Sequence, residues 1–203
     1  MPEEIEFIKD RIEAIKESIH YFSNEMKPER ERWVVNKLLD YLKLDRKQDE
    51  VKSSNDEPID VNFRDGSFQI KEILDQDRKR TAEYKQALGI AENAKKGEDL
   101  FEQYSPIELK IEDVLIIVVD QVNKWSNKYP PSVRKNIDLL FYMNLQDVYI
   151  QYQRHTLPKD NINDLEQAGW RSISVVENSC AFVVFANESA PDFIKKVAGI
   201  ILE

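Results

Sequence analysis

A strand that is apolar on both faces must be covered on both, and residues 137–143, IDLLFYM, read as such a strand: a nearly continuous apolar run that follows Asn136 and has no polar face to offer to water. Helices on both sides of a sheet are the architecture that satisfies it. Two segments qualify as those helices. Residues 111–129 carry Val114, Leu115, Val118, Val119, Val122 and Trp125 before Pro130-Pro131, which predicts a buried helix that the prolines stop; a parallel strand over residues 114–119 is the alternative. Pro28 fits the first turn of another helix, with Trp33, Val35, Leu38, Leu39 and Leu42 as its apolar face.

At the start of the chain, Ile5, Ile8, Ile12, Ile15, Ile19 and Phe22 recur at spacings of three and four, which predicts an amphipathic helix within residues 2–26. The same spacing suits a coiled-coil seam, so the helix either docks on the chain's own core or offers itself to a second copy or a protein partner. The polar stretch 44–57, LDRKQDEVKSSNDE, is expected to be a loop or a short strand, and residues 75–93 favour a helix that Gly89 weakens near its end. Further strands are expected at residues 147–153, 171–176 and 181–185, a short helix at 163–168, and a closing helix from Pro191. The expected whole is a mixed α/β sheet of about five strands flanked by helices, with residues 1–26 as a helical extension and residues 27–203 as one α/β domain.

The composition fits a folded protein: 41% hydrophobic and 33% charged, with 5 Gly and 8 Pro in 203 residues. The longest aliphatic run, residues 114–119, falls far short of the about 20 residues that a bilayer crossing needs, so no membrane span is expected. The acidic opening Met1-Pro-Glu-Glu-Ile5 lacks the basic and apolar stretches of a secretory signal, and the lone Cys180 has no partner for an internal disulfide; the expected compartment is the cytoplasm. A net charge of −9 opposes adhesion to nucleic acid at large, yet a local basic patch and an acidic metal site are compatible with it.

The chemistry concentrates in residues 59–74, two short runs separated by Asp65-Gly66, a dipeptide that favours two-residue hairpin turns. With that dipeptide as the loop, Val61 faces Ile70 and Phe63 faces Phe68 on an apolar side, while Asp60 faces Lys71 and Asn62 faces Gln69 on a polar one. An ordinary half-exposed hairpin explains such a face. It would equally hold a hard cation such as Mg²⁺ or Mn²⁺, with Asp60 and Gln69 as oxygen ligands, Lys71 neutralising charge on a phosphate and Asn62 orienting a water. Other basic groups are Arg78-Lys79-Arg80, close enough in sequence to flank that face, and Lys124, Lys128, Arg134 and Lys135 near Trp125 and Tyr129, which either track a phosphate backbone or form a solvated helix end. His20 and His155 lack metal-ligand spacing, Cys180 adjoins an apolar run that suits an inert thiol, and no nucleophile elbow or glycine-rich phosphate loop is present.

Pro58-Ile59-Asp60, followed by a turn and Gln69-Ile70-Lys71, resembles the metal-binding core of the PD-(D/E)XK nuclease superfamily in its Gln variant. In that superfamily a glutamate on the preceding helix often adds a ligand, and Glu31 matches the position best. A likeness over nearly the whole chain is carried by Glu31-Arg32-Trp33-Val34, Val61-Asn62-Phe63-Arg64-Asp65, Asp138-Leu139-Leu140-Phe141-Tyr142, Gly169-Trp170-Arg171-Ser172-Ile173-Ser174-Val175-Val176 and Ala190-Pro191-Asp192-Phe193. These segments are similar to a bacterial family of uncharacterised proteins labelled "putative endonucleases". The resemblance implies a restriction-endonuclease-like fold and a metal-dependent nuclease acting on DNA or RNA, with Asp60, Gln69 and Lys71 at its centre. The sequence departs from the strict motif by Ile59 between Pro58 and Asp60 and by the neutral Gln69, which would lower metal affinity. The competing expectation is a catalytically silent member that serves as a binding module.

Overall fold

The computed structural model describes residues 2–101, 105–158 and 162–203. The chain divides into two compact units, Met1–Arg30 with Asp75–Ser105, and Glu31–Leu74 with Pro106–Glu203.

The first unit is built on α1 (Pro2–Tyr21) packed along α3 (Arg80–Asn93), with α2 (Lys27–Tyr41) beginning in it. The isoleucine stripe works as its spacing predicts from Ile8 onward: Ile15 is buried, Ile8, Ile12 and Ile19 are half-buried, and only Ile5 stands out in solvent. Phe22 closes the contact, stacking on Tyr84 at 5.3 Å with the Arg80 guanidinium 3.9 Å from its ring centre. The third helix starts at Arg80, later than residue 75, because residues 75–79 turn with Asp77 at a φ of 64° while Arg78 reaches forward to Glu83 at 2.8 Å. Gly89 is exposed to open space and does not end the helix.

In the second unit a seven-stranded sheet carries β1 (Lys52–Ser53), β2 (Val61–Phe63), β3 (Gly66–Ile73), β5 (Asp138–Met143), β7 (Ser172–Val176), β8 (Ala181–Ala186) and β9 (Ile201–Leu202), side by side in that order. The central strands β3, β5 and β7 run parallel, and the outer pairings are antiparallel. Five of these strands have three or more residues, and two-residue strands extend each edge. A separate parallel pair joins β4 (Ile107–Lys110) to β6 (Val148–Gln151). The strand β4 was not expected: its four residues, IELK, alternate apolar and polar but are too few to stand out and are largely exposed. The closing helix is also shorter than expected: α7 (Asp192–Lys195) is a single turn, after which Gly199, at a φ of 79°, lets the chain return as the edge strand β9.

Both faces of β5 are covered, as its composition requires. On one face α4 (Ile111–Ser126) places Val114, Leu115, Val118 and Val122 against Leu139, Phe141, Ile173 and Val175. On the other, Val34, Val35, Leu38 and Leu39 of α2 meet Val61, Phe63, Phe68 and Leu140. Each fully buried side chain of this size contributes about 1.5–3 kcal/mol. The fold is therefore a three-layer mixed α/β arrangement. The helix α4 ends at Ser126, three residues short of the expected Tyr129, and Pro131 opens the short helix α5 (Pro131–Arg134). No described helix is long and apolar enough to cross a membrane.

The hairpin register differs from the expected one. Val61 pairs with Phe68, Asn62 with Ser67 and Phe63 with Gly66, so the loop is Arg64-Asp65, with Arg64 taking the left-handed conformation at a φ of 51°. Gly66 belongs to the ladder, where a Cβ would come within 2.8 Å of the Phe68 ring and 3.0 Å of the Phe63 carbonyl oxygen. Its hydrogen is needed for close packing, and this moves the turn one residue back. Because the partners shift by two residues, each side chain keeps its face while Asp60 and Lys71 cease to be directly opposed.

Candidate active site at the polar hairpin

Past Val61 the ladder changes character. The Asp60 N–H donates to the Phe68 carbonyl at 2.9 Å, and the Asp60 carboxylate accepts the Ile70 N–H at 2.8 Å. The side chain thus stands where a strand carbonyl would, which holds a half-buried carboxylate against the middle of β3. One carboxylate oxygen is engaged by a backbone donor.

Gln69 points to the α4 face of the sheet, beside Leu139, and is only 2% exposed. Its Nε2 donates to the Pro58 carbonyl and to the Tyr129 hydroxyl, both at 2.8 Å. Its Oε1 is buried and has no hydrogen-bond partner. The Pro58 carbonyl fixes the amide orientation, since only the nitrogen can donate to it, so the bare atom is an acceptor. Leaving such a group unsatisfied costs about 1–3 kcal/mol, which the site recovers if a cation or water meets it.

Lys71 lies two residues further along the same face, with its Nζ 4.5 Å from the centre of the Trp125 ring. Trp125, in the last turn of α4, and Tyr129, in the turn beyond it, therefore cover Lys71 and Gln69, two apart on β3. The structure brings Asp60, Gln69 and Lys71 together with this aromatic pair. Asn62 is half-buried within β2, on the polar side opposite Ser67. Glu31, also half-buried, is one turn ahead of Val34 and Val35 on the helix that covers the other face of the sheet. Among the described residues no three His, Cys, Asp or Glu side chains form a metal-holding group.

Arg78, Lys79 and Arg80 belong to the first unit. Arg78 is occupied by Glu83 and Asp75, Arg80 lies on Phe22, and Lys79 is exposed.

One cluster escaped the sequence reading. Asp138, 1% exposed, accepts from Arg171 through both carboxylate oxygens, from the Ser172 hydroxyl at 2.7 Å and from the Ser67 N–H at 3.0 Å. Burial pushes its carboxyl up from the usual range, against the opposing pull of Arg171, Ser172 and Ser67. Its oxygens are already committed to the starts of β3 and β7, so it is a structural clamp. An Asp inside an apolar run was the available signal.

Trp170 is fully buried, with its indole N–H donating to Ser126 at 2.9 Å, and serves as a core residue. Cys180 is fully buried too, and burial, helped by Glu177, pushes its thiol up to about 12. A thiol reagent at neutral pH should leave the native protein unlabelled and label it stoichiometrically once denatured; fast labelling of native protein would contradict the inert assignment.

These features define a three-layer mixed α/β protein with a polar hairpin under an aromatic lid. The profile of the family described as "Putative endonuclease, protein of unknown function (DUF1780)" matches residues 3–203, and the chain belongs to that family. A solved structure similar in fold is described as a protein of unknown function from Pseudomonas aeruginosa strain PAO1, monooxygenase superfamily. It aligns with a TM-score of 0.67 at 21% identity, covering 97% of this chain and 93% of that one. At that identity the likeness concerns the fold alone. No curated protein matches the sequence.

Proposed function

We propose that the protein is a metal-dependent nuclease that hydrolyses phosphodiester bonds of DNA or RNA at the hairpin, in a restriction-endonuclease-like fold. The observation that carries this reading is the buried, unpartnered Oε1 of Gln69 on the strand that the Asp60 carboxylate braces. An oxygen acceptor beside a carboxylate suits Mg²⁺ or Mn²⁺, and Mg²⁺ in particular is commonly held by one or two carboxylates, with waters and substrate phosphates filling its shell. Asp60 and Gln69 would hold the ion; Glu31, expected as an auxiliary carboxylate, stands on the helix that covers the opposite face of the sheet and is not part of this reading. When bound, the ion would draw negative charge from the phosphate under attack. Lys71 adds a fixed positive charge for the same oxygens, seated on Trp125. Asn62 offers an amide to orient the attacking water, and Lys79 an exposed charge for the nucleic acid.

The test is calorimetric titration of Mg²⁺ and Mn²⁺ into the wild type and Asp60→Ala, followed by incubation of both with mixed DNA and RNA. Metal binding and cleavage that disappear together in Asp60→Ala are expected. Undiminished cleavage by both Asp60→Ala and Lys71→Ala would remove the hairpin from the chemistry. The neutral Gln69 and the small number of carboxylates favour a second reading, a catalytically silent binding module. A wild type that binds neither metal would select it.

A further inference from the structure

We infer that Lys71, Lys124 and Lys128, gathered on the ring of Trp125, form a clamp for the phosphodiester backbone of a nucleic acid, independent of its base sequence. The inference rests on reading the hairpin as a phosphodiesterase site and names how that site holds its substrate.

The three ammonium groups lie 4.5, 6.0 and 4.2 Å from the centre of a single indole ring. They arrive from separate elements: Lys71 from β3, Lys124 from the last turn of α4 and Lys128 from the turn that follows the helix. The electron-rich ring attracts each of them, and a backbone phosphate at the ring would meet cations from separate elements at once. Among the described residues neither Lys124 nor Lys128 has a carboxylate partner. Residues 121–137 carry four basic side chains and no acidic one, in a chain whose net charge is −9.

Lysines near a helix C-terminus also complement its dipole. That accounts for Lys124 and Lys128 singly, but not for their meeting Lys71, which comes from a strand, on one ring. A second observation points outward to an anion. The Trp125 indole nitrogen, a buried donor on the ring that gathers the lysines, has no hydrogen-bond partner, and phosphate oxygens are acceptors only. The ring itself is taken up by ammonium groups, so bases have no free platform on which to stack. Recognition therefore falls on the backbone, which carries charge and no sequence information.

The experiment measures binding of fluorescein-labelled single-stranded and duplex DNA of several sequences by anisotropy, as a function of salt, with EDTA present so that cleavage and metal are excluded. Replacing Lys124 and Lys128 together by Gln should weaken binding to all sequences alike and make the slope of log K against log salt shallower by about one for each lysine. Retention of the wild-type thermal melt confirms that the variant is folded. An unchanged slope in the folded double variant would overturn the clamp, as would a loss confined to one sequence. If the wild type neither binds metal nor cleaves while the slope still falls in the double variant, the nuclease reading fails and the clamp stands as a nucleic-acid surface.

Discussion

Asp138→Ala is expected to destabilise the protein by about 3–5 kcal/mol, because it strips a buried ion pair of one member and leaves the other uncompensated. The carboxylate holds Arg171, the Ser172 hydroxyl and the Ser67 N–H together, so its removal orphans groups at the starts of β3 and β7 as well as the guanidinium. Arg171→Ala should cost less than Asp138→Ala, since the serine hydroxyl and backbone N–H still satisfy the carboxylate in part. The backbone N–H of Arg171 keeps its own bonds to the carbonyls of Arg134 and Ile137 in both variants. Replacing both residues, Asp138→Leu with Arg171→Met, should recover much of the loss, because a buried pair repays little more than its own desolvation. Urea unfolding of the singles and the double gives the coupling. Asp138→Ala within about 1 kcal/mol of wild type, the size of an ordinary substitution, would show that the cluster is not what pins these strands.

The same cluster shows where sequence reading reaches its limit. The run 137–143 was legible as a doubly covered strand because burial on both faces leaves a compositional trace. The trace does not say that the Asp within it is paired, since Arg171 is 33 residues away along the chain. Helices α1, α2 and α4 were legible from the spacing of their apolar residues, which is a local property. The strands β4 and β9 were not: β4 is largely exposed, and β9 has two residues held by pairing with β8. The hairpin was legible as to its faces and wrong as to its partners, because Asp65-Gly66 favours a turn by conformation while Gly66 is used for close packing against Phe68. Turn preference is a weak local signal, and the packing of one ring decided against it. Likewise Trp125 and Tyr129 could be read as neighbours at the end of a predicted helix, although α4 itself stops at Ser126. Their position over Lys71 and Gln69 depends on how α4 crosses the sheet, which no local pattern states.

Lys71→Met should lower the cleavage rate by about 10²–10³, the usual loss when one preorganised donor to a developing charge is removed, while leaving Mg²⁺ affinity near that of the wild type. Methionine preserves much of the side-chain length and can still lie against the Trp125 ring, so the change removes the cation and its contact with the indole while keeping most of the packing. That contact is worth about 0.5–1 kcal/mol, too little to unfold the domain. Lys71→Arg retains the charge and can stack on the same ring, but it spreads that charge over a planar fork, so partial recovery of the rate is the expected result. Nucleic-acid binding in EDTA should also weaken modestly in Lys71→Met, because one of the three ammonium groups on the ring is gone. The loss of rate at saturating substrate must exceed the loss of affinity if Lys71 acts on the reacting phosphate as well as on its approach. A rate for Lys71→Met within a few fold of wild type, with weakened binding, would reduce Lys71 to a member of the clamp and leave the charge at the scissile phosphate to other groups.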